Sequence, residues 1–212
     1  MYMKTITIIP AYNEEKTIRM VVKEAKRHVD EVVVVYDKSG DKTLEEIQDL
    51  CDIITIKRRR GKGYALRLGF VYALKKKYDI IVMIDADGEK DPREIGKLIE
   101  YLKNEYADMV VGTRDSFRSK WRKTFNLFTS WWINLATGYN LTDVSSGFNV
   151  YHYLSLKKMS LKSNSFEIEI EIILEAKKNN LKVIGHPISS PYISRSKLGF
   201  RHAIEINNFF DK

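Results

Sequence analysis

Asp85-Ala86-Asp87-Gly88-Glu89 follows directly on Ile80–Ile84, the most apolar strand-like run in the chain. Carboxylates at i, i+2 and i+4 beyond the carboxyl end of a buried strand can face one divalent cation. Mg²⁺ and Mn²⁺ favour such oxygen ligands, usually one or two carboxylates completed by water and substrate phosphates. Asp85, Asp87 and Glu89 are therefore the candidate metal ligands. An isolated pair of aspartates two apart is more often a turn or a helix cap, and Asp91-Pro92 provides a cap nearby. The place behind a buried strand favours the metal.

Three more segments lie where apolar runs end or helices begin. Ile9-Pro10-Ala-Tyr12-Asn-Glu14-Glu15 and Tyr36-Asp37-Lys-Ser-Gly-Asp41 each close an apolar run. Tyr12 offers a ring face for stacking, and Asp37 an acceptor for a base or ribose. Taken alone, each segment is equally an ordinary turn. Arg60-Gly-Lys62-Gly63 combines glycines, backbone N–H groups and cations into an anion cradle. Its spacing is neither the P-loop nor the dinucleotide fingerprint, which argues against an NTPase or a nicotinamide enzyme. The four histidines have no ligand spacing with one another and receive no role.

These residues need elements to hold them, and the first 114 residues alternate strand and helix. Strands are expected at Thr5–Ile9, Glu31–Tyr36, Ile53–Ile56, Ile80–Ile84 and Met109–Val111. Between them run helical stripes: Ile18, Val21, Val22, Ala25 and Val29, with Asn13 as cap; a short helix at Leu44–Cys51; Ala65 to Leu74; and Ile95 to Leu102. This rhythm predicts an α/β fold with a mostly parallel sheet covered on both faces, and ligands beyond the carboxyl ends of its strands. The second half breaks the rhythm. Ser146–Tyr151 is extended, and Phe166–Ile172 alternates apolar and acidic residues like a strand. The helical Ile173-Leu-Glu-Ala-Lys-Lys that follows favours a helix from about Glu167. No linker or repeat divides residues 1–212, which read as a single domain.

Composition bounds the setting. A chain of 212 residues buries roughly 70% of its unfolded surface and folds without disulfides. Cys51 is the only cysteine, which excludes a disulfide framework and cysteine-based zinc clusters. No apolar run reaches membrane-span length, and the N-terminus lacks a signal-peptide core, so a cytoplasmic location is expected. The net charge of +8 concentrates in two clusters. One is Lys57, Arg58, Arg59, Arg60 and Lys62; the other is Arg114, Arg118, Lys120, Arg122 and Lys123 around Asp115. Such clusters suit phosphates or an anionic membrane surface. No nucleic-acid-binding module is present, so nucleic acid is not the expected partner.

In this order the segments resemble the family 2 glycosyltransferases of GT-A fold, in the branch of dolichyl-phosphate mannose and glucose synthases. The resemblance rests on Ile9–Glu14, Asp37–Asp41, Gly61-Lys-Gly63 through Phe70, Asp85-Ala-Asp87, Gly112-Thr-Arg114, Asp143 with Ser146-Gly-Phe148, and Phe166–Ala176. It implies a nucleotide-sugar-binding half (1–114) and an acceptor-binding half (115–212). It implies that Pro10, Tyr12, Glu14, Asp37, Lys62, Asp85 and Ala86 hold a nucleotide-sugar donor, and that Asp85, Asp87 and Glu89 hold Mg²⁺ or Mn²⁺. Arg114 would meet phosphate, and Asp143 would border the acceptor. Glu169 or Glu171 fills the family's acidic position before a helix, and alignment to Ala176 favours Glu171. Arg195 and Lys197 in Ser194-Arg-Ser-Lys-Leu198 match a compressed version of the family's late basic segment. Tyr36 stands where a second aspartate is common, Asn149 where an arginine is frequent, and Glu89 where relatives often have Gln.

The implied chemistry is metal-dependent, inverting transfer of a hexose from a GDP- or UDP-sugar to a polyprenyl or dolichyl phosphate. A phosphate acceptor is already largely ionised at neutral pH and needs no base, whereas a hydroxyl acceptor would need Asp143 or Glu171. Other readings are the same donor chemistry on a soluble or glycan hydroxyl, a nucleotidyltransferase, and a non-catalytic binding module. Phe125, Phe128, Trp132 and Trp121 lie near one helical face with basic residues at its start. That composition suits a helix peripheral to the cytoplasmic face of a membrane, the alternatives being core packing or a homo-oligomer contact. Phe200–Phe210 reads as a second such helix.

Overall fold

The computed structural model describes residues 2–114 and 120–189, with the backbone alone over 120–123. Seven strands form one sheet in the order β3-β2-β1-β4-β6-β5-β7. The four of the first half, β1 (Thr5–Ala11), β2 (Glu31–Asp37), β3 (Asp52–Ile56) and β4 (Ile80–Ile84), are parallel. Strand β4 is buried along its whole length, as its unbroken apolar sequence requires between two helical layers. On one face α1 (Ile18–Ala25) and α3 (Ile95–Asn104) insert Ile18, Val21, Val22, Ile95, Leu98 and Leu102. The other face is covered by α2 (Lys62–Lys76) and α6 (Ile168–Lys178), through Ala65, Leu66, Phe70, Ile168 and Ile172 among others.

The chain lays β2 and β3 to one side of β1 and then crosses to place β4 on the other. Pairing of β1 with β4 stops at Ile8 and Met83, while pairing with β2 continues to Ala11 and Tyr36. Pro10 falls beyond the β4 register and lies opposite Val35 of β2, near the end of the strand. The crevice at this switch point is where open α/β sheets take ligands.

Two local expectations, at Asn13 and at Leu44–Cys51, are corrected, and the second half adds elements the sequence left open. Strand β6 (Phe148–His152) runs antiparallel, inserted between β4 and β5 (Met109–Arg114). β7 (Val183–Ile188) adds a parallel edge beside β5. Asn13 does not cap a helix: it has φ +55°, its side chain accepts from the Gly40 N–H, and α1 starts later, behind Thr17. Residues 44–50 turn without forming a regular helix; Ile47 is buried, and Arg19 binds the Glu46 carbonyl (2.8 Å) and the Asp49 carboxylate (3.0 Å). A short helix, α5 (Tyr153–Lys158), follows β6.

Residues 168–178 form the expected helix, and its acidic alternation has a physical reading. Glu167, Glu171 and Glu175 lie at four-residue spacing on one stripe. They accept N–H bonds from Ser165 (3.2 Å), Lys162 (2.8 Å), Ser163 (2.9 Å) and Ser160 (2.8 Å). Glu169 is turned by about 200° from Glu171 at 100° per residue and faces the other way.

Candidate active site

The carboxyl ends of β1, β2, β4 and β5, with the start of α2, bring the sequence-derived residues to one edge of the sheet. The loops after β1 and β2 are tied together: Asn13 N–H to Ser39 Oγ (2.8 Å), Glu14 N–H to Thr43 Oγ1 (2.8 Å), Glu15 N–H to Asp41 Oδ2 (3.2 Å). Buried Asp37 accepts from Arg60 N–H (2.8 Å) and Gly61 N–H (2.7 Å), so the end of β2 fixes the basic glycine loop. Arg59 lies over the Tyr12 ring, 4.2 Å from its centroid, while Lys57, Arg58 and Arg60 line a separate cavity beside Tyr64 and Leu68. Tyr36, at the departure from the paired aspartates, is buried and donates to Ser39 O (3.3 Å).

Lys62, the first residue of α2, points into the end of β4. Its ammonium lies 2.6 Å from Asp85 Oδ1 and also pairs with Glu169 Oε1. Burial works against the charged ammonium, but Asp85 and Glu169 outweigh it and hold Lys62 above its ordinary pKa. Burial also pushes Glu169 above the usual carboxylate range; Asp85 adds to the rise, and Lys62 and Lys90 oppose it. Asp85 is anchored by its own N–H, which donates to Gly147 O (2.9 Å). Asp87 accepts from Glu89 N–H (2.9 Å); burial raises its pKa, Asp85 and Glu89 add to the rise, and Lys90 opposes it.

The donor set fits a hard divalent cation. Asp85, Asp87 and Glu89 follow one another at two-residue spacing, and burial, with Asp85 and Glu89 adding to it, raises the pKa of Asp87 against the pull of Lys90. Among the described residues no three His, Cys, Asp or Glu side chains converge on one point. Two carboxylates with further positions left for water and phosphate are the set that Mg²⁺ or Mn²⁺ takes.

Beside this cluster, at the end of β5, Arg114 grips buried Asp143 with two bonds, Nε to Oδ2 (2.5 Å) and Nη2 to Oδ1 (3.0 Å). Its Nη2 also reaches Ser145 O (3.2 Å), and Nη1 lies 3.9 Å from Glu89 Oε2. Glu89 thus sits on the Arg114 side of the acidic run. Burial opposes the Arg114 charge, and Asp143 more than compensates. The 141–145 loop that carries Asp143 hangs on α4 (Lys120–Thr137). Asn126 Nδ2 donates to Thr142 O (3.0 Å), and Asn134 exchanges two 2.9 Å bonds with Leu141.

The polarity of α4 is the reverse of an ordinary surface helix. Asn126, Thr129, Ser130 and Thr137 are buried, whereas Leu127, Phe128, Trp131, Trp132 and Leu135 are exposed, from 48% to 65%. Phe125 turns inward onto the core, so the exposed face is centred one residue further round than the sequence suggested. The Trp121 side chain, Arg118, Arg195, Lys197 and Phe200–Phe210 lie outside the described residues.

Pro10, Tyr12, Glu14, Asp37, Lys62, Asp85, Ala86, Asp87, Glu89, Arg114 and Asp143, named from the sequence, lie at or just beyond the carboxyl ends of β1, β2, β4 and β5, at the start of α2 or in the loop before β6. Of the two acids weighed on α6, Glu169 and not the favoured Glu171 reaches Lys62, and the phase of the helix decides between them. Lys90 was not singled out in the sequence. Lys90 is buried close enough to influence both Asp87 and Glu169. Asn149, at the family's arginine position, is buried in β6 and donates to Tyr151 Oη (3.2 Å).

A mostly parallel sheet with an acid pair beyond β4 at its switch point and one inserted antiparallel strand has the architecture of the GT-A fold. The chain belongs to glycosyl transferase family 2, whose signature matches residues 6–164. It is 33% identical to a UDP-N-acetylglucosamine–dolichyl-phosphate N-acetylglucosaminyltransferase of Methanococcus voltae, over 89% of this chain and 86% of that one. It is 27% identical to the polyprenol monophosphomannose synthase of Mycolicibacterium smegmatis, over 88% and 77%. The fold matches glucosyl-3-phosphoglycerate synthase of Mycobacterium tuberculosis, crystallised with Mn²⁺, uridine diphosphate and phosphoglyceric acid. The TM-score is 0.78 at 19% identity, over 97% of this chain and 75% of that one. The protein is thus a glycosyltransferase.

Proposed function

We propose that this glycosyltransferase moves a hexose or N-acetylhexosamine, with inversion, from a nucleotide sugar to a polyprenyl phosphate at an anionic membrane surface. Residues 1–114 hold the donor, and residues from 115 onward serve the acceptor. The observation that carries the proposal is the buried cluster at the switch crevice in which Lys62 pairs with Asp85 and Glu169 while Lys90 acts on Asp87 and Glu169. Asp85 and Asp87 would hold Mg²⁺ or Mn²⁺, which when bound neutralises charge on the donor's diphosphate.

The side chains supply the rest. Lys62 adds a positive charge where the leaving diphosphate gains its electron pair. An acceptor phosphate oxygen forms the new bond to the anomeric carbon as the bond to the diphosphate breaks, and no proton has to be removed. This matches the state of the two residues considered as bases: Asp143 is buried and chelated by Arg114, and both oxygens of Glu171 accept loop amides. The outward aromatic face of α4 supports a membrane-borne acceptor, because rings at the headgroup level with basic residues at Lys120, Arg122 and Lys123 are the make-up of an interfacial helix. No described helix is long and apolar enough to cross a membrane.

The test is a panel of GDP- and UDP-sugars with Mn²⁺ and vesicles containing polyprenyl phosphate. The expected product is a prenyl-phosphate sugar of inverted anomeric configuration. Retained configuration, or transfer only to hydroxyl acceptors, would overturn the proposal.

A further inference from the structure

The glycine loop that presents Lys62 rests on a second loop, and that second loop hangs from α6. A Cβ at Gly61 would come within 2.5 Å of Asn164 O, and one at Gly63 within 2.6 Å of Ser163 O and 2.7 Å of Ser165 O. The two backbones therefore touch with no side chain between them. Tyr64 N–H donates to Asn164 O (3.1 Å), and Arg67 Nη2 to Asn164 Oδ1 (2.5 Å). What holds residues 162–165 in place is mainly Glu171, whose two oxygens take the N–H groups of Lys162 (2.8 Å) and Ser163 (2.9 Å); Glu167 adds Ser165 N–H at 3.2 Å. Hydrogen bonds to an ionised acceptor are about twice as strong as neutral ones.

We propose that Glu171 is a positioning residue: it fixes the 162–165 loop under Gly61 and Gly63 and thereby aims Lys62 at Asp85 and Glu169. The proposal rests on the glycosyltransferase reading for its consequence in catalysis, but its geometry stands apart from any substrate. Helix α6 then serves the site from two faces at once, with Glu169 pairing with the ammonium and Glu171 setting the backbone that carries it. Glu175 provides an internal control. It accepts from Ser160 N–H (2.8 Å) on the same stripe, but among the contacts of Gly61 and Gly63 only residues 163–165 occur.

The experiment measures how fast an amine-reactive reagent labels Lys62 in the folded, full-length protein, by mass spectrometry, in the wild type, Glu171→Ala, Glu171→Gln and Glu175→Ala. Melting temperatures are recorded alongside. Lys62, buried and doubly paired, is expected to label slowly in the wild type. Loss of two charge-assisted bonds in Glu171→Ala should raise its labelling about tenfold or more, with Glu171→Gln intermediate because one accepting oxygen remains. Glu175→Ala should change Lys62 labelling by less than about twofold at a comparable loss of melting temperature. If Glu171→Ala fails to fold, Glu171→Gln against Glu175→Ala decides the matter. Equal Lys62 labelling in the Glu171 and Glu175 variants overturns the proposal. Sugar-transfer assays on the same proteins separate the two claims: a wild type that transfers no sugar but keeps the labelling pattern removes the enzymatic reading and leaves the positioning role standing.

Discussion

Two buried ion clusters sit side by side at the edge of the sheet, and they are built differently. Arg114 holds Asp143 through two parallel bonds of a rigid guanidinium fork, and the carboxylate is fully buried. Lys62 is a single movable ammonium shared between Asp85 and Glu169, with Asp85 one-fifth exposed and Asp87 close by. The fork fixes a loop. The shared ammonium faces two acids at once, beyond the carboxyl end of β4. The Arg114–Asp143 pair has the make-up of scaffold, the Lys62 cluster is the proposed donor and cation site, and each expectation below separates those roles.

The largest effect should fall on Asp87. Asp87→Asn is expected to cut transfer by about 10²–10³-fold, the usual scale for removing preorganised charge stabilisation at a leaving group, with melting temperature preserved. Activity within twofold of wild type would remove Asp87 from the site. In the scaffold cluster the loss should be of stability. Asp143→Ala strands the Arg114 guanidinium and should destabilise by about 3–5 kcal/mol in denaturant titration. A variant that stays as stable as wild type but loses activity would make Asp143 catalytic and erase the contrast.

Smaller effects sharpen it. Because Asp87 and Glu169 have raised folded-state pKa values, the stability they contribute is fully present below the ordinary carboxylate range and is lost as pH rises through the raised values. With a chelator present, melting temperature should therefore fall as pH rises above that range, and Asp87→Asn should flatten the fall. A melting curve independent of pH there would contradict the raised values. On the acceptor side, Trp131→Ala/Trp132→Ala should leave fold and donor binding unchanged but reduce flotation with anionic vesicles about tenfold or more. Undiminished flotation would assign that face to another partner.

The contrast also marks what was legible in the sequence. Asp85 and Asp87 stood out because a five-residue apolar run ends on them, and Arg114 through its basic cluster and the Gly112-Thr-Arg114 match. The strand-helix alternation gave the parallel half of the sheet. The direction of β6 was not legible: five residues with no tight turn on either side carry no sign of which neighbour they join or how. Glu169 and Glu171 could not be separated by spacing alone, since a strand would put both on one face and a helix puts them on opposite ones. The inverted α4 was half legible. Its aromatics were evident, but that Asn126, Ser130 and Asn134 face inward depends on the 141–145 loop, whose position only the folded chain defines.

The most direct test of a cation bridging this acid pair to a donor's diphosphate is calorimetric titration of nucleotide sugar into wild type and Asp87→Asn, each with Mn²⁺ and with chelator. Wild-type affinity should rise at least about tenfold with Mn²⁺, and the variant should show no metal effect. Equal wild-type affinity with Mn²⁺ and with chelator would contradict the account.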